Sequence, residues 1–215
     1  MGLINFGVPE KETEFLKQHM NLEVFVEGGT YMGGTAKKMA ENFRKVYTIE
    51  KSDVMYEKAK ENLKDISNID MLKGDTREHL KDILDKNDNI LFWLDAHWSG
   101  GDTYGEEDEC PLIEELEIIF DYPKNYVILI DDARLFLAPP PYPHDFKNWQ
   151  SMKDIFNVIP QNWSFIEYED VIYLYPIVIE EKLKEFIQKD VTNKMKNKNS
   201  VSLLQKIMKK LGICK

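Results

Sequence analysis

The stretch VFVEGGTYMGGT, Val24 to Thr35, decides how this chain is read. Four glycines fall within seven residues, directly after an apolar run and directly before a helical pattern. A strand, a glycine turn and a helix start together place backbone N–H groups against a charged small molecule. The spacing is not that of a nicotinamide or flavin site, which needs G-x-G-x-x-G. GGTYMGG contains no two glycines one residue apart followed by a third two positions on.

Outward from this turn the same unit repeats. The short helical pattern from Lys11 to Met20 precedes the first strand, and KVYTIE follows as a second strand ending in Glu50, with Ser52 placed to cap the next helix. IDMLKGD and TREHLKDIL form the third strand and helix, NILFWLDAH and CPLIEELEIIF the fourth, and YVILIDD the fifth strand. Beyond a proline-rich loop, LAPPPYPHDFKNWQ, come one more helix and the alternating segment WSFIEYEDVIYLYP, which turns at Glu169–Asp170 as an antiparallel hairpin. The order predicts a Rossmann-like α/β fold: a doubly wound, mostly parallel seven-stranded sheet ending in an antiparallel hairpin, with ligands at the C-terminal ends of its strands.

With 215 residues, 43% of them hydrophobic, the chain suits one α/β domain over residues 1–180, followed by a basic helical tail over 181–215. No apolar run approaches the ~20 residues of a membrane span, and the N-terminus lacks the pattern of a signal peptide. Two cysteines, Cys110 and Cys214, make neither a disulfide framework nor a metal motif. A cytoplasmic protein is expected. The net charge is −10, yet Val191 to Lys215 carries seven lysines and no acid, so nucleic acid is not an expected partner of the acidic body.

Glu27, Gly29, Tyr31, Gly33 and Thr35 stand in the order of the first motif of class I S-adenosylmethionine-dependent methyltransferases, and the chain resembles the catechol O-methyltransferase-like group most. The resemblance runs from about Val24 to Pro176. It implies S-adenosyl-L-methionine as cofactor, its methionine part lying along the glycines. It makes Glu50 the acid that accepts both ribose hydroxyls, and it brings Asp75, Thr76 and Arg77 to the adenine ring. In the family an Asp from the fourth strand and an Asp-Asn pair from the fifth bind magnesium, and Asp95, Asp131 and Asp132 match those positions, with Asp replacing Asn at the last.

The residues support a cation independently. Adjacent strands lie ~4.8 Å apart, so three carboxylates finishing side by side would repel unless something positive sits among them. Oxygen ligands suit a hard divalent cation, Mg²⁺ first, with Ca²⁺ or Mn²⁺ as alternatives. The family's lysine base, three residues after the metal-binding Asp, is replaced by Trp98. His97 takes over the role of base in this reading, with Asp95 beside it in the catalytic set; the alternatives for His97 are a metal ligand or a residue holding Asp95.

The expected acceptor is a hydroxylated small molecule, a saccharide or nucleotide-linked sugar of surface-glycan biosynthesis first, a phenol second and a phosphoryl or phosphoramidate group third. Tyr142, His144 and Trp149 are candidates for its wall. A cofactor-binding module without catalysis is the alternative from another class, and the cluster of acids argues against it. In the tail, Leu204, Ile207, Met208 and Leu211 share one helix face among lysines. Docking on the chain's own acidic body or on a second subunit is favoured there over a membrane surface.

Overall fold

The computed structural model describes residues 7–95, 109–142 and 144–210, with side chains as far as residue 197. The chain divides into two units, Met1–Ile177 and Val178–Lys215. The first is a three-layer α/β structure. Its strands are β1 (Val24–Gly28), β2 (Lys45–Glu50), β3 (Ile69–Lys73), β4 (Ile90–Leu94), β5 (Tyr126–Ile130), β6 (Trp163–Tyr168) and β7 (Val171–Pro176). They form one seven-stranded sheet in the order β3-β2-β1-β4-β5-β7-β6. The pairs among β1 to β5 are parallel, while β7 runs antiparallel to both β5 and β6. The predicted fold is the observed one.

Helices α1 (Glu10–Met20), α2 (Gly34–Ala40), α3 (Asp53–Leu63), α4 (Thr76–Lys86), α5 (Leu112–Phe120), α6 (Arg134–Leu137) and α7 (Met152–Val158) connect the strands. Every residue of β1, β4 and β5 is buried, as central parallel strands covered on both faces must be. One face of the sheet carries Val24, Val26, Phe92, Leu94, Ile128 and Ile130 into a core closed by Leu80, Ile83 and Leu84 of α4, Leu116 and Ile119 of α5 and Ile155 of α7. The alternate residues, Phe25, Leu91, Trp93, Val127 and Leu129, face the other way and are equally buried. Local chemistry sets the helix starts. Ser52 accepts from Met55 N at α3, Asp75 accepts from Arg77 N at α4, and Ser151 and Asp154 form a capping box at α7.

The second unit is built on α8 (Glu180–Lys210), whose i,i+4 pairs Lys184–Glu180 and Lys194–Asp190 line the helix surface. The side chains of Leu204, Ile207 and Met208, and Leu211 altogether, lie outside the described residues. No helix among the described residues is long and apolar enough to cross a membrane.

Candidate functional site

The C-terminal ends of β1, β2 and β4 meet at the glycine turn. Gly29 and Gly33 adopt φ of 93° and 79°, and Tyr31 between them 50°. This left-handed conformation favours glycine, and at Gly33 a Cβ would also meet Leu63 Cδ1 at 2.8 Å. The turn is tied to β2 by Gly29 N and Thr30 N, which both donate to Ile49 O. Tyr31 itself is half exposed, with its side chain outside the core.

Two acids lie beneath this turn. Glu27 is buried in β1; Thr48 Oγ1 donates to its Oε2 at 2.5 Å and lies 2.6 Å from Thr30 Oγ1, and Thr35 supplies a further side-chain hydrogen bond. Burial pushes the Glu27 carboxyl up to about 8 against the lowering effect of Thr48, and the neighbouring charges of Asp95 and Glu50 act in the same direction as burial. Glu50 ends β2 and is held by two backbone amides: Tyr31 N donates to Oε2 and Ser52 N to Oε1, each at 2.8 Å. A carboxylate offers about four acceptor directions. Among the described residues each Glu50 oxygen therefore keeps one direction beyond its amide, which matches the demand of a vicinal diol.

Asp75 is occupied differently. Its Oδ1 accepts from Arg77 N (3.0 Å) and Nε (2.8 Å), and its Oδ2 from Arg77 Nη2 (2.7 Å) and Lys51 Nζ (2.8 Å). Burial acts to raise this carboxyl, but the Arg77 and Lys51 bonds together hold it well below the usual carboxylate range. All four acceptor directions are filled by the protein. Of the three residues expected at adenine, Asp75 and Arg77 thus bind each other, and Thr76 is buried with its side chain bonded to Glu115.

The three acids expected to bind a cation end β4 and β5, and one of them, Asp132, meets a cation of the protein itself. Asp95 directly follows β4, its N–H donating to Gly28 O, and Asp131 and Asp132 directly follow β5, both buried. Asp131 Oδ1 accepts from Asp132 N, and Asp132 adopts φ 56°. The Asp132 carboxylate accepts from Arg134 Nη1 at 2.6 Å, and Arg134 is also paired with Asp170 of the hairpin turn. Among the described residues no group of three or more His, Cys, Asp or Glu side chains is arranged to hold a metal. The positive charge that clustered acids require is supplied, at Asp132, by a guanidinium two residues along the chain. His97 lies outside the described residues.

Sequence reasoning missed three partners. Arg134 is one, although its place just after two aspartates was a visible signal. Glu109 is another: its buried carboxylate lies 3.0 Å from His144 Nδ1 and accepts from Asp145 N at 3.0 Å. His144 meets Trp149 edge to face at 4.9 Å between centroids, so two of the three expected wall residues come together, while Tyr142 is 95% exposed. The third is Glu115, on the buried face of α5, which reads in sequence as one more acid of an acidic helix.

This arrangement can be set against known proteins. No protein-family model matches the chain, and no curated protein matches it in sequence. Solved structures do match. An SAH-bound methyltransferase of Podospora anserina superposes with a TM-score of 0.55 at 16% identity, over 80% of this chain and 90% of that one. An O-methyltransferase of Bacillus cereus in complex with SAH gives 0.58 at 14% identity, over 81% and 83%. A protein described as a putative caffeoyl-CoA O-methyltransferase of Staphylococcus aureus gives 0.52 at 16%, over 80% and 84%. The chain has the fold of these methyltransferases.

Proposed function

We propose that this protein is an S-adenosylmethionine-dependent O-methyltransferase of the cytoplasm. The observation that carries the reading is Glu50, a buried carboxylate fixed by two backbone amides at the end of β2, beside a left-handed glycine turn, with one acceptor direction left on each oxygen. That is the geometry for a ribose diol. Gly29 to Gly33 would hold the cofactor's carboxylate and amine, and Glu27, kept protonated near neutrality, adds no fixed negative charge to that stretch.

When bound, S-adenosylmethionine supplies an electrophilic methyl group on a sulfonium. The protein's own task is to hold an acceptor hydroxyl in line and to take its proton. His144 suits the second task. With Nδ1–H donating to Glu109, Nε2 carries the ring's lone pair. His97 remains the rival base. Among the acids after β4 and β5, Asp132 is already neutralised by Arg134.

For the acceptor, a hydroxylated small molecule, with a saccharide or nucleotide-linked sugar first, is supported by the polar and aromatic character of the loop after β5. Phenolic and phosphoryl acceptors are the second reading. A homo-oligomer through the basic tail is part of the same proposal. Mass-spectrometric screening of nucleotide-sugars and phenols with S-adenosylmethionine, with and without chelator, tests it. A product heavier by one methylene that survives chelation is the expected result. Cofactor binding with no methylated product in any class would favour a non-catalytic module, and transfer abolished by chelator and restored by Mg²⁺ would return the acids to a metal role.

A further inference from the structure

Glu115 is 1% exposed, and its Oε1 has no hydrogen-bond partner among the described residues. Such a group is costly unless something satisfies it. The side chain lines a small cavity of about 10 Å³, together with Leu94 and Ile130 at the ends of β4 and β5, Pro111 and Leu112 at the start of α5, and Phe136 of α6. That volume admits one group the size of a water or an amino group.

The position follows from the ribose site, on which this inference rests. With the ribose on Glu50 at β2 and the 5′ arm directed to the glycine turn at β1, the base is carried to the other side, toward the end of β3 and the N-terminus of α4. There the obvious acceptor, Asp75, has all four directions filled by Arg77 and Lys51. The next residue, Thr76, is bonded to Glu115. We propose that Glu115 reads the amino edge of the cofactor's adenine, its unpartnered oxygen accepting from the exocyclic amino group as that group enters the cavity. Burial, and after it the charge of Asp75, push the Glu115 carboxyl up to about 7, so near neutrality it is protonated in a large fraction of molecules. Thr76 is bonded to the other oxygen, which leaves Oε1 to accept from the amino group.

Calorimetry with S-adenosylhomocysteine and with S-inosylhomocysteine, in which a carbonyl replaces the amino group, tests this, with thermal unfolding recorded alongside. The wild type is expected to prefer the adenosine compound by about 10- to 100-fold. Glu115→Leu should remove most of that preference by weakening S-adenosylhomocysteine, while raising the unfolding temperature because a buried carboxyl with one unpartnered oxygen is gone. Should that variant not fold, Glu115→Asp, which keeps the carboxyl but shortens the reach, must still lose about fivefold for S-adenosylhomocysteine and less than twofold for the inosine compound. Tight S-adenosylhomocysteine binding that is unchanged in both variants would overturn the inference alone, leaving the cavity to water. No binding of either compound by the wild type would overturn the methyltransferase reading with it.

Discussion

Two parts of one sheet edge handle the same problem, buried acids at strand ends, in opposite ways. At β1 and β2 the left-handed positions are Gly29, Tyr31 and Gly33, and the acid they surround, Glu50, is held by backbone amides. At β5 and the β6–β7 turn the left-handed positions are Asp132, Glu169 and Asp170, and both aspartates close on Arg134. An acid held by amides retains acceptor capacity for a ligand. An acid closed on a guanidinium has spent it on the fold. The first end is thus open to a ligand, and the second is a clamp that ties the last parallel strand to the hairpin.

The clamp is the place to break this contrast hardest. Arg134→Met leaves Asp132 and Asp170 buried without their cation, and should cost about 3–5 kcal/mol of stability by denaturant unfolding. S-adenosylhomocysteine affinity of the folded fraction should change little, and a loss of affinity matching that at Glu50 would mean the two ends are one site. At the open end, pH gives the next effect. The Glu27 carboxyl is raised to about 8, so the folded protein keeps a proton that the unfolded chain releases near 4.5. Its contribution is full below pH 4.5 and is lost as pH rises through about 8. Stability should therefore fall from about pH 5 to pH 8, and Glu27→Gln should remove on the order of 2 kcal/mol of that fall, read as unfolding midpoints across the range. Glu115, raised to about 7, contributes with the same sign and sets the slope that remains. The smallest expected effect is the sharpest: Glu50→Ala should weaken S-adenosylhomocysteine by at least ~1.5 kcal/mol in calorimetry, and unchanged affinity would remove the ribose from β2.

The fold was legible because period and punctuation agree. The apolar runs of β4 and β5, the capping residue Ser52, and the alternation across Glu169–Asp170 each specify an element locally. The place of Glu50 was legible for the same reason, since it closes a strand that the pattern itself defines. What chain order does not reveal is which cation an acid meets. Asp75, Asp132 and Glu50 read alike as acids after strands, yet one is saturated by Arg77 and Lys51, one is paired with Arg134, and one is held by amides. Glu109 and His144 lie 35 residues apart, on either side of β5, and nothing short-range connects them. The reading of Asp95, Asp131 and Asp132 as one cluster counted negative charges at the strand ends and left Arg134 out.

The order β5-β7-β6 has a consequence for how the chain is made. β7 is the last strand in the sequence, yet it lies inside the sheet, between β5 and β6. During synthesis from the N-terminus, the fully apolar β5 keeps an unpaired edge until Val171–Pro176 has emerged, and β6 has no neighbour to pair with before then. Nascent chains stopped before Val171 would expose a ready template for pairing with one another, so the interval between Ile130 and Pro176 is the stretch of translation in which this protein is most open to aggregation.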